Sequence, residues 1–148
     1  MCLGADLTGG GATDYSELLG GLQLRPGARG DVLDRLSDYA GVALPEDYVE
    51  FLRFSNGVRG DFGPRYWLEL WPAEDVPRLN TVYAKTNRAD GALLIGTDGG
   101  GTAFAIDTRP RRPGLFEYVQ FGFPLLEWGE EEHRAPSLRA LFNHLRAP

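Results

Sequence analysis

A chain of 148 residues with 43% apolar and 24% charged side chains has the size and composition of an ordinary globular domain, and it lacks the run of about eighteen apolar residues that a membrane-spanning helix needs. Its net charge of −6 disfavours nucleic acid and anionic membranes as partners and favours basic proteins. Cys2 is the only cysteine, which excludes an intramolecular disulfide and cysteine-rich zinc sites.

Residues 1–13, with Gly4 and the run Gly9-Gly10-Gly11, are expected to form a flexible lead. This lead has neither the basic n-region nor the apolar segment of a secretory signal, so the cytoplasm is the expected location. One domain is expected over 14–148, since no linker or repeat divides it. Asp14–Leu24 sets Tyr15, Leu18, Leu19 and Leu22 at helical spacing, weakened by Gly20-Gly21. Pro26-Gly27 and Gly30 then break the chain. Asp31–Ala40 reads as a helix with Val32, Leu33, Leu36 and Tyr39 or Ala40 inward, and Gly41 as its stop. Asp31, Asp34 and Asp38 share the opposite side.

Leu44–Gly57, LPEDYVEFLRFSNG, contains a complete helix. Pro45 suits the first turn, Glu46 and Asp47 complement the dipole, and Asn56-Gly57 supplies the stop. Tyr48, Phe51, Leu52 and Ser55 fall on one side, with Glu46, Glu50 and Arg53 opposite. With Asp47 they give the first helices a strongly acidic exterior. A loop with Gly60, Gly63 and Pro64 leads to a strand over Tyr66–Trp71, where Tyr66, Leu68 and Leu70 alternate with Trp67, Glu69 and Trp71. Ala73–Val76 suggests a single helical turn, and Asn80–Arg88 a helical or extended lead into the next strand. Leu93–Gly96 and Thr102–Asp107 form a hairpin around a glycine-rich turn. Arg109–Gly114 is a proline-bounded turn, and Leu115–Phe121 alternates as a strand. A loop carries Pro124, Trp128 and Glu130–Glu132. Ser137 then caps a last helix with Leu138, Leu141, Phe142 and Leu145 inward. The order predicts an α+β fold, an antiparallel sheet of about four to six strands flanked by N-terminal helices and closed by one C-terminal helix.

LPEDYVEFLRFSNG resembles the L-P-x-D-Y-x-x-F-L-x-x-x-N-G signature of the SUKH superfamily, which holds bacterial toxin-immunity proteins and fungal cell-wall-assembly regulators. The aromatic strand with Trp67 and Trp71, LLIGTDGGGTAFAID over Leu93–Asp107, and APSLRALFNHL over Ala135–Leu145 are similar to its later motifs, in the same order. The resemblance implies a non-enzymatic protein-binding module, foremost an immunity protein that neutralises a cognate toxin in the cytoplasm. The alternative it implies is a regulatory or scaffold domain that binds a host protein, with no toxin involved.

The residues offer no catalytic constellation. Ser16, Ser37, Ser55 and Ser137 lie outside any G-x-S-x-G elbow. His133 and His144 are separated by a loop and part of a helix, which is not a metal-ligand spacing on one helix. The glycines of Thr97–Thr102 lead into a strand rather than a helix, and no lysine accompanies them, so a turn is expected there and not a phosphate cradle. Asp98 and Asp107 are placed to cap turns. No cofactor or metal is expected, and an unrecognised enzyme would show as a pocket gathering Asp98, His133 or His144. Contact residues are expected where acidic and aromatic side chains combine: Trp128 with Glu130, Glu131 and Glu132, or Asp34 and Asp38 as a competing patch, each facing a basic toxin. A solvated face is the alternative for both. Trp67 and Trp71 either project as interface anchors or fill a core covered on both sides.

Overall fold

The computed structural model describes residues 14–109 and 116–148. Its frame is an antiparallel sheet of seven strands whose spatial order follows the chain. These are β1 (Gln23–Leu24), β2 (Val58–Phe62), β3 (Tyr66–Leu70), β4 (Ala92–Thr97), β5 (Thr102–Asp107), β6 (Glu117–Gly122) and β7 (Glu131–Ala135). The helices are α1 (Tyr15–Leu18), α2 (Gly30–Ala40), α3 (Glu46–Phe54), α4 (Val76–Tyr83) and α5 (Leu138–Arg146), and a 3-10 turn over Ala73–Asp75 precedes α4. The expected α+β class holds, with slightly more strands than expected. The lead over 1–13, with Cys2, and most of the Arg109–Gly114 turn lie outside the described residues.

The additional strands come from segments read as helix or loop. The first helix ends at Leu18, and Gln23–Leu24 pairs with β2. β2 itself occupies the expected Gly60 loop. Glycine weakens a strand unless a neighbour approaches closely, and here Leu22 passes so near that a Cβ on Gly60 would lie 3.2 Å from its Cδ2. β7 replaces part of the expected acidic loop. Its polar sequence, EEHRA, suits an edge strand, where charge discourages pairing with other chains. The single turn expected at Ala73–Val76 continues as α4 to Tyr83.

Residues opposite one another across an antiparallel pair share a face. On the inner face lie Phe62, Tyr66, Leu68, Leu70, Phe104, Ile106 and Tyr118, under α1, α3 and α5. Tyr15 and Phe142 each meet Phe51 edge-on, at centroid distances of 5.8 and 6.0 Å, and Phe142 reaches Phe62 at 5.7 Å. On the outer face Trp71 stacks on Tyr83 of α4 at 5.9 Å, and Tyr83 on Phe123 at 5.6 Å. Leu126 is fully buried, and its carbonyl accepts a bond from Arg88. Among the described residues this outer layer covers the β4–β6 half of the sheet. Arg59, Asp61 and Gln23 are exposed on the other half, and Trp67 and Glu69 half-buried.

Where β3 leaves the sheet, β4 loses a neighbour, and a side chain takes its place. The Asn80 amide accepts from Leu94 N–H at 3.0 Å and donates to Leu94 C=O at 2.9 Å. A buried strand edge is thereby satisfied without a strand.

The LPEDYVEFLRFSNG helix places its residues as joints. Tyr48, Phe51 and Leu52 are fully buried. Asp47, expected on the acidic exterior, turns inward instead. Its carboxylate accepts from the Tyr118 hydroxyl and from the Leu138 N–H at 2.8 Å. It satisfies one free N–H of α5, while Ser137 Oγ satisfies another, that of Ala140, at 3.0 Å. At the other end, Ser55 Oγ accepts from Arg25 N–H and donates to Gly57 C=O. Asn56 is buried, accepts from Ala73 N–H at 2.7 Å and donates to Glu74 at 2.7 Å. Gly57 follows at φ 93°, and a Cβ there would lie 2.7 Å from Leu70 C=O. Only glycine fits that conformation and that approach.

Candidate partner-binding surface

Trp128 stands on the loop before β7. Its indole N–H donates to Asp90 C=O at 2.8 Å, and its ring packs on Phe121 at 5.6 Å. The Arg109 guanidinium covers it at 3.6 Å from the ring centre, and Arg134 lies 5.5 Å away. Arg109 grips both oxygens of Asp107, at 3.0 and 2.9 Å. Arg134 bonds to Asp107 at 3.2 Å, Glu117 at 2.7 Å and Glu131 at 2.7 Å. The Asp107 side chain is only 1% exposed. Burial alone would raise its pKa, but the bonds from Arg109 and Arg134 outweigh it and hold the carboxyl below its ordinary value. The indole is thus fixed on three sides.

The acidic triplet does not form one patch. Glu130 is exposed. Glu131 is consumed by Arg134 and by Gly129 N–H. Glu132 sits at the β6–β7 register shift and accepts from Gln120 at 3.3 Å, toward the inner face. A strand alternates its side chains, whereas a loop would have left the three together. Asp34 and Asp38 are exposed on α2. Asp31 is held by Arg29 at 2.8 Å, with Arg35 at 3.6 Å. The Arg29 hydrogen bond comes first in bringing its pKa down to about 2.

Tyr39 and Ala40, at the end of α2, share a shallow depression with Gly91 and Thr108. Trp128 bonds to Asp90, and Arg109 lies against Gly91. The Asp90–Gly91 loop therefore borders both the Tyr39–Ala40 end of α2 and Trp128.

His133 and His144, far apart in sequence, stack with centroids 3.5 Å apart and planes 6° from parallel. Burial first, and then His144, lowers the His133 pKa. Asp98 is engaged in its own turn, accepting from Gly100 N–H and Thr102 N–H at 2.9 and 3.0 Å. Among the described residues no three His, Cys, Asp or Glu side chains gather as a metal site, and no helix is long and apolar enough to cross a membrane. Sequence reasoning offered Trp67 as an outward anchor but missed β1 and β2 beside it, with Arg59 of β2 lying over Trp67 at 5.3 Å. The alternation in VRGDF, apolar at both ends and polar between, was the one signal of β2.

The SMI1/KNR4 family model (SUKH-1) matches residues 27–144, from just before α2 to the last turn of α5. The chain belongs to the SMI1/KNR4 family (SUKH-1). No curated protein shows significant similarity to it. Within this SUKH-1 chain the Leu44–Gly57 signature serves architecture, since Asp47, Ser55 and Asn56 all bond to other elements of the fold. α1 and β1 precede the matched region.

Proposed function

We propose that this SUKH-1 protein is a non-enzymatic binding module of the cytoplasm, an immunity protein that holds a cognate, basic toxin in an inactive complex. The observation that carries the reading is the immobilised Trp128, whose anchor Asp90 adjoins the Gly91 backbone that meets the Tyr39–Ala40 end of α2. Trp128 is already ordered, so docking against it costs little side-chain entropy. Asp34, Asp38 and Glu130 supply negative potential that speeds encounter with a basic catalytic face. Glu131 supports the surface from below through Arg134, while Glu132 turns away from it toward Gln120. Inhibition is stoichiometric: the complex blocks substrate entry and turns nothing over. Family membership supports the reading, since the SUKH superfamily that the chain resembles holds immunity proteins.

Co-expression with a toxin encoded beside the gene tests it. The intact protein restores growth, and the triple reversal D34K/D38K/E130K abolishes most of the protection. Growth that is not restored refutes immunity for that pair and leaves the regulatory alternative. Protection undiminished by the triple reversal moves the contact elsewhere.

A further inference from the structure

The uncovered half of the sheet borders a groove of about 580 Å³, walled by β1 on one side and α4 on the other. Its floor carries Trp71, stacked on Tyr83. Its charge is opposite to that of the molecule. The chain has 21 acidic residues against 15 basic ones, yet Arg25, Arg59 and Arg78 line the groove against Glu69 and Asp75. Arg78 spends its charge on Asp75 at 3.5 Å. Arg25 and Arg59 have no ion-pair partner within 4.0 Å among the described residues, although Glu74 lies within electrostatic reach of Arg25 and Glu69 stands across the strand pair from Arg59. Both are exposed, and Arg59 is braced by its position over the Trp67 ring.

We propose that this groove binds an extended acidic peptide segment of a partner protein. Apolar side chains of the segment would lie on Trp71, Tyr83 and Leu79, and carboxylates on alternate positions would reach Arg25 and Arg59, which match carboxylates in bidentate fashion. Charge complementarity selects a short acidic segment over a nucleic acid. The arginines act within a Debye length of about 10 Å, whereas a longer polyanion runs on into the acidic remainder of the surface. The site is separate from the Trp128 surface and of opposite polarity, so it stands whether or not the partner is a toxin. Its β1 wall, including Arg25, precedes the region matched by the family.

The probes are a fluorescein-labelled peptide of alternating valine and aspartate, its valine–lysine counterpart, and a labelled DNA duplex. Anisotropy is followed with the full chain, alongside the protein's own tryptophan emission. The aspartate peptide binds and perturbs that emission, while the other two do not. R25Q/R59Q weakens binding at least about tenfold, as two charge-assisted contacts are lost. Both arginines are exposed, so the variant folds, which its circular dichroism verifies. D34K/D38K/E130K leaves peptide binding no weaker, which separates this site from the toxin surface. No binding of the aspartate peptide at about 1 mM, equal binding of the lysine peptide, tighter binding of DNA, or indifference to R25Q/R59Q would each overturn the proposal.

Discussion

The two halves of the sheet are built to different rules. In β4 and β5 every residue is buried, on both faces. In β2 and β3 burial follows one face, with Val58, Phe62, Leu68 and Leu70 in and Arg59, Asp61, Trp67 and Glu69 at least partly out. Strands covered on both sides can be apolar throughout, while strands covered on one side must alternate. One half is therefore committed to stability. The other keeps an arginine, a tryptophan and carboxylates available to a partner.

The sharpest test of that contrast is a pair of truncations. Phe104→Ala, in the doubly covered half, removes a fully buried ring and costs about 3–5 kcal/mol. Glu69→Ala, on the open face, stays within about 0.5 kcal/mol. Urea unfolding with unchanged m measures both. A large loss at Glu69 would break the comparison, since that face would then be covered in solution.

A smaller effect separates the paired charges from the free ones. Arg134→Met keeps most of the packing on Trp128 but removes one of the guanidinium groups that hold Asp107. A cost of about 2 kcal/mol is expected at neutral pH, below the cost of a wholly buried pair because Arg134 is 27% exposed. The sign with pH follows. Asp107 titrates below its ordinary 3.8, so its pairing stabilises the fold above that pH and is lost as pH falls through the native value. Arg134→Met flattens that acid limb of the unfolding curve. An unchanged limb would show that the other partners of Asp107 suffice without Arg134.

Much of this was legible in the chain. α2, α3, α5 and the β4–β5 hairpin each announce themselves by an apolar period together with a stop or cap, as Gly41, Ser137 and the Thr97–Gly101 turn illustrate. β1, β2 and β7 were not, because two residues, a glycine-centred strand and a charged edge carry too little period-two signal. The candidate surface was legible in part. Trp128, Asp34 and Asp38 could be named, but Asp47 looked like one more surface acid until Tyr118 and Leu138 met it. The fate of Glu131 depended on Arg134, three residues on, and on Asp107, from another strand. Long-range ion pairs of this kind leave no spacing rule in a sequence.

The smallest effect concerns the histidine stack, which joins the last strand to the last helix. His133 and His144 lie too close to be charged together without cost. With its pKa lowered from the ordinary 6.5 by burial and by His144, His133 takes up its proton less readily in the native state than in the unfolded chain. Stability is therefore complete above about pH 7, falls as pH drops below 6.5, and stops falling once the native group is itself protonated. Carboxylates titrate lower, so the stability change in this window is assigned to His133. Unfolding by urea at pH 7.5 and pH 5.5 reads the difference, with pH values bracketing the ordinary histidine range of about 6.5. His133→Asn reduces the drop between them by removing the titrating group. A drop of the same size in that variant would place the proton elsewhere.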